Sequence, residues 1–191
     1  MAVTRAEMER EFGPDGLVRP PAERVAELVA DPGAREFLTA VGLPAHSAVF
    51  EAAQHLATGP VPVREHFGDW AEAEAEYLEL FGPRVGCWLV LGELITGTLV
   101  LDGATGGVHA LPLDVAEEGP DRPYHADLSS LAAFLLAFQR ELPYYGEGGS
   151  AQELRESVER LTAGLTALEP RALAEPASVW RLLLDEIQYG S

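Results

Sequence analysis

Cys87 and His109 are the residues whose types most readily suggest catalysis. Each falls in an apolar run with strand character, and a thiol beside an imidazole is the pairing of a cysteine nucleophile with its base. The setting speaks against that chemistry. Activated cysteines occupy partly exposed, electropositive places, often at a helix N-terminus, whereas Cys87 lies between Gly86 and Trp88 in a segment rich in acids. It reads as a buried, inert thiol. His66 and Asp69, in His-Phe-Gly-Asp, are the closest local histidine–carboxylate pair and read as a surface histidine ahead of an acidic helix. The histidines His46, His55, His66, His109 and His125 show no spacing that puts two of them one helical turn apart with a carboxylate, so no metal site is read. Gly103, Gly106 and Gly107 would suit a phosphate cradle, but no lysine follows and the surroundings are negative, so a hairpin turn explains them better. Ser129-Ser130 has neither a Ser-x-x-Lys nor a Gly-x-Ser-x-Gly context and reads as a helix cap. The expectation is a protein with no catalytic residue, no metal and no cofactor. An enzyme using His66 and Asp69 is the least supported alternative.

Charge is the more informative signal. The chain has 191 residues with 31 acids against 13 basic residues, a net charge of −18, and every basic residue is arginine. Between Glu65 and Asp121 twelve acids face Arg84 alone. More than half of the net charge therefore lies in that segment. Such a field repels nucleic acid and anionic lipid and steers a basic partner inward. With a single cysteine the chain forms no internal disulfide, which fits a reducing compartment. The first residues mix Arg with Glu and resemble no signal peptide, and no apolar run approaches the roughly 20 residues of a membrane span. A cytoplasmic protein that binds neither nucleic acid nor membrane is expected.

These residues must be positioned by a sheet and by helices around it. From Val85 to Leu113, three short runs rich in β-branched and large apolar residues are separated by glycines, which predicts a β-meander over 85–113. The flanking sequence reads mostly as helix. Thr4-Arg5-Ala6-Glu7 is a capping box, and Asp31-Pro32 is a cap followed by proline at the first helical position. Gly42-Leu43-Pro44 is a helix stop, whereas residues 45–64 have no assigned structure beyond the apolar anchors Val49, Phe50 and Leu56. Trp70, Ala73, Tyr77 and Leu80 recur at helical spacing in an acidic helix. A short extended piece is expected around His125, then a helix capped by Asp127 or Ser129 with Leu131, Phe134, Leu135 and Phe138 as its stripe. Ser150-Ala151-Gln152-Glu153 is a second capping box, and the last helix, capped by Ser178, turns Trp180, Leu183, Leu184 and Ile187 inward. The expectation is an α+β domain with an antiparallel-rich central sheet covered by helices over 25–191, preceded by a helical extension over 1–24.

Four motifs follow one another in order: Phe37-Leu38-Thr39-Ala40-Val41-Gly42-Leu43-Pro44, Leu101-Asp102-Gly103-Ala104-Thr105-Gly106-Gly107-Val108, Asp127-Leu128-Ser129-Ser130-Leu131-Ala132-Ala133-Phe134-Leu135, and the ending Trp180 to Ile187. In that order and spacing they resemble the SUKH superfamily, specifically its fourth group of bacterial immunity proteins. The resemblance spans about residues 25 to 190. The Asn that often opens the serine segment is absent, with Leu128 in its place, although Asp127 can still cap the helix. The resemblance implies a protein that neutralises a toxin, a nuclease or deaminase among them, by binding rather than catalysis. Candidate contacts to a basic toxin partner are Asp69, Glu72 and Glu76 on the acidic helix, Asp102 at the hairpin, and Glu117 and Glu118 in the following polar loop. A regulatory or scaffolding module of the same fold, with an endogenous partner, is the alternative.

Overall fold

A computed structural model describes residues 2–68, 70–112, 123–141, 151–175 and 178–189. The chain opens with α1 (Arg5–Phe12), closed at its start by the Thr4–Glu7 capping box in both directions. β1 (Leu17–Val18) and α2 (Ala22–Leu28) follow. α3 (Pro32–Glu36) starts from the Asp31 carboxylate, which accepts from the Ala34 amide at 2.7 Å, and runs on through a π-helical turn, Phe37–Val41. Gly42, at φ 85°, stops it in a conformation that side-chain-bearing residues avoid. β2 (Leu43–Pro44) pairs antiparallel with β1.

Residues 45–64, unassigned from sequence, contain β3 (Phe50–Ala52) and β4 (Val61–Pro62), and α4 (Val63–His66) begins directly after β4. Both strands pair with the same edge of β5 (Leu89–Leu94), β3 against Gly92–Leu94 and β4 against Leu89–Val90. On its other edge β5 pairs with β6 (Gly97–Leu101), which pairs with β7 (Val108–Pro112), all antiparallel. The meander is therefore real but begins later than expected. Val85–Cys87 forms a 3-10 turn after α5 (Trp70–Phe81), and Gly86 there packs so closely on Trp70 that a Cβ would lie 3.1 Å from its indole. This turn also corrects the reading of Cys87, which is exposed rather than buried: the apolar neighbour Trp88 turns inward and the thiol outward.

Apolar residues alternate on both sides of the sheet, so both faces must be covered. Leu89, Leu91, Leu99, Leu101, Val108 and Ala110 belong to the main core with α6 (Leu128–Glu141), α7 (Ala151–Leu168) and α8 (Val179–Tyr189). The stripe expected on α6 is fully buried: Leu131, Phe134, Leu135 and Phe138 are all at 0% exposure. Val90, Val100 and Leu111 face the other way, into a smaller core closed by Val63, Trp70, Tyr77, Val85 and Trp88. The first helix is part of the larger core, since Met8 is wholly buried there and the Val3 amide donates to Ser129 Oγ at 2.7 Å. Asp127 caps α6 by accepting from the Ser130 amide at 2.8 Å, and Ser178 accepts from the Trp180 amide at the start of α8. The expected capping box at Ser150 lies outside the described residues.

One polar group sits deep in the main core. His125, whose backbone bridges Val108, accepts at Nε2 from the Trp180 indole at 2.9 Å. Its Nδ1 therefore carries the proton and donates to Ser130 Oγ at 3.0 Å. Protonating Nε2 would set two donors against each other in a site with no solvent, and burial pushes the pKa down to about 3. Because the folded pKa lies below the unfolded one near 6.5, His125 contributes stability above pH 6.5 and loses it as pH falls toward 3. Between pH 7.5 and 5 denaturant unfolding should show a loss of about 2 kcal/mol from this group, reduced in His125→Gln. The His125 imidazole should still be neutral at about pH 5 in an NMR titration of the folded protein.

Backbone approach makes the second prediction. The register of β5 against β6 shifts between Val90 and Gly92, and a Cβ at Gly92 would lie 2.3 Å from the Glu51 carbonyl oxygen and 2.6 Å from the Phe50 ring. Gly92→Ala should lower stability by about 2 kcal/mol or more, read from the denaturant midpoint, by forcing β3 off β5.

Candidate functional site

The bulge at Gly92 determines what lines the open part of the sheet. Beyond it, a row of paired residues runs across neighbouring strands: His46 opposite Glu51, Glu51 opposite Glu93, and Glu93 opposite Thr98. Residues directly opposite in an antiparallel ladder share one face, so this polar row continues the face that Val90 and Val100 line farther along. The aromatic layer of α5 covers Val90 and Val100, and Thr98 is buried, but the two carboxylates of the row stay accessible, with the Glu51 side chain 65% and that of Glu93 45% exposed.

Around the row, side chains from three elements meet. Thr98 Oγ1 donates to Glu93 Oε2 at 2.7 Å. His66, at the end of α4, places Nε2 3.8 Å from Glu93 Oε1, and His46 places Nδ1 3.8 Å from Glu51 Oε1. His55, in the 3-10 turn Gln54–Ala57, stands with its ring centre 5.2 Å from that of His66. Burial, and then the proximity of His66, hold the His55 pKa below its ordinary value, partly opposed by a bond to the Val90 backbone. The cleft enclosed by Glu51, His55, His66 and Glu93 has a volume of about 640 Å³. A second cleft of about 560 Å³ shares Glu51 and Glu93 and runs over Val49 and Ile95 to Leu183, Glu186 and Ile187 on α8. Among the described residues, no group of three or more His, Cys, Asp or Glu is arranged to hold a metal ion. What the arrangement offers chemically is carboxylate acceptors beside apolar surface, which suits cationic and hydrogen-bond-donating groups.

Residues singled out from sequence fall in different places. Glu72 and Glu76 are exposed on α5, as are Glu74 and Glu79, with Trp70 and Tyr77 buried beneath them. Glu74 also accepts from the Trp70 indole at 3.2 Å. Asp69, Glu117 and Glu118 lie outside the described residues. Asp102 is 7% exposed, and its carboxylate accepts from Arg84 Nη2 at 2.6 Å, the Ala104 amide at 3.0 Å and Thr105 Oγ1 at 3.0 Å. It organises the β6–β7 hairpin from within, with its carboxylate holding three donors.

The cysteine–histidine pairing separates as well. Arg64 Nη1 lies 3.9 Å from the exposed Cys87 Sγ. His109 instead stacks on Trp88 with ring centres 4.0 Å apart. Burial pushes its pKa down to about 4, with Asp102 opposing and Arg84 assisting. His66 meets Glu93, from a strand 27 positions later. The Glu51–Glu93 row was invisible in sequence because nothing there announces a three-residue strand at Phe50–Ala52.

Comparison with known proteins adds to this geometry. The model of the SUKH-4 immunity protein family matches residues 3–186, a span that includes α1 and the tract up to Arg24. Neither curated proteins nor solved structures give a match. The α+β architecture, with its antiparallel sheet and helical cover, agrees with the family's fold. With the match extending over nearly its whole length, the chain belongs to the SUKH-4 immunity protein family.

Proposed function

We propose that this protein neutralises a polymorphic bacterial toxin in the cytoplasm by direct protein–protein binding through an acidic surface, without catalysis of its own. The observation that carries the reading is the coincidence of immunity-family membership with the concentration of charge between Glu65 and Asp121, where twelve acids face one arginine. Toxins that act on nucleic acid need basic clefts, and an acidic inhibitor competes for them with fast, salt-sensitive association. The exposed carboxylates Glu72, Glu74, Glu76 and Glu79 on α5 supply part of that field. Asp69, Glu117 and Glu118 extend the same acidic segment in sequence and complete the proposed contact set.

A toxin domain from a gene adjoining this protein's own is the probe. Co-expression with this protein should restore growth of a host that the toxin alone arrests, and an inactivated toxin domain should bind the purified protein in calorimetry. Raising salt from about 50 to 300 mM should weaken that binding by slowing association. Glu72→Gln combined with Glu76→Gln should slow association severalfold with little change in dissociation. Absence of both protection and low-salt binding would overturn the reading in favour of an endogenous partner.

Asp102 gives a contrasting expectation. Asp102→Ala should lower folding stability by about 1–3 kcal/mol, seen in denaturant unfolding, because it leaves Arg84 and the Ala104 amide without their acceptor. At temperatures where the variant is folded its toxin affinity should match the parent's.

A further inference from the structure

The helical side of the molecule carries a second surface, on the opposite side of the sheet from α5, since α8 packs on the main core and α5 on the smaller one. Between α7 and α8 lies a cleft of about 490 Å³, lined by Thr162 and Thr166 on one helix, Arg181 and Asp185 on the other, and the buried Leu173 and Leu184. Arg181, Asp185 and Tyr189 follow one another at steps of four and so form one stripe of α8, and all three are exposed, Tyr189 at 76%. Arg181 precedes Asp185, the order that pairs less well within a helix. Among the described residues the Arg181 guanidinium donates only to the Leu173 carbonyl, at 3.1 Å, and neither it nor Asp185 forms an ion pair. Two opposite charges one turn apart, each without a counterion, are complementary to the same stripe reversed. Net charge permits that approach here. Residues 65–121 hold twelve acids and one arginine, whereas residues 151–189 hold seven acids and four arginines. Copies of a chain with net charge −18 therefore meet far less repulsion through α7 and α8 than through the acidic segment.

We propose that the occupant of this surface is a second copy of the chain, held in a two-fold dimer through α8. In an isologous contact residue i meets j and j meets i, so with the two α8 helices antiparallel Arg181 faces the partner subunit's Asp185 and Asp185 faces the partner subunit's Arg181. Both charges are answered at once, and paired arginine–carboxylate contacts fix register as well as affinity. Exposed ion pairs alone contribute little, so Tyr189 and the apolar part of the cleft supply the surface whose burial holds the dimer. The arrangement turns α5 outward on each copy. It goes beyond the immunity reading and does not depend on it.

Sedimentation equilibrium of the full chain should show a concentration-dependent dimer by about 100 μM at about 150 mM salt. Arg181→Glu and Asp185→Arg each set like charges against each other across the contact and should raise the dimer dissociation constant about tenfold or more. Mixed in equal amounts, the two variants present opposite charges to each other at both contacts, and a heterodimer within about threefold of the parent's affinity should form. Asp185→Arg removes no described hydrogen bond, so it carries the test if Arg181→Glu lowers the thermal midpoint. A parent that stays monomeric overturns the proposal, as do single variants that associate like the parent or a mixture that stays monomeric. If the parent is monomeric and Arg181→Glu instead weakens binding of the inactivated toxin domain, the surface belongs to the toxin and not to a second copy.

Discussion

Strand β5 is apolar on both faces, and the rest of the structure follows from the need to cover both. Leu89 and Leu91 point into the main core and Val90 into the smaller one, and β6 repeats the pattern with Leu99 and Leu101 against Val100. An antiparallel sheet commonly leaves one face to water. Here α6, α7 and α8 with the N-terminal helices close one side. The other is closed by a narrower layer of aromatics, with Trp70 stacked on Tyr77 at 5.5 Å and Tyr77 on Phe81 at 6.1 Å. This aromatic layer does not reach Glu51 and Glu93, which stay accessible on the same face.

The two layers also differ in how polar groups are accommodated. In the larger core His125 is satisfied at both nitrogens by Trp180 and Ser130, and its ring meets Phe134 edge-on at 4.6 Å. This ties the segment before α6 to α8 and favours a neutral imidazole. At the far end of the meander, the Gly103 carbonyl accepts from the Ala30 and Asp31 amides at 2.6 and 3.0 Å. Gly106, at φ 78°, sits where a Cβ would lie 2.8 Å from the Asp31 carboxylate. The glycine-rich turn that might have cradled a phosphate instead docks the hairpin onto the junction of α2 and α3.

Charge and packing assign the acids of this segment to different places. Glu72, Glu76 and Glu79 are exposed on α5 over a buried aromatic face, whereas Glu74 holds the Trp70 indole and Asp102 in the same acidic segment is part of the fold. A count of acids along the chain cannot separate these roles, because the same carboxylate serves a hairpin or a partner according to which donors surround it.

Sequence by itself determined what is local. The strands at 89–112, the caps Thr4, Asp31, Asp127 and Ser178, the buried stripe of α6, the family and the excess of negative charge all rest on spacing, residue type or motif order within short windows. Tertiary structure decided the rest. Strands of two or three residues at 50–52 and 61–62 are too short to show a period, and they exist only because β5 offers an unpaired edge. Cys87 is exposed because a 3-10 turn follows α5, and Asp102 is buried because Arg84 arrives from 18 residues away. The Glu51–Glu93 row forms only when a bulge at Gly92 brings distant segments into register, and no local window of sequence contains that contact.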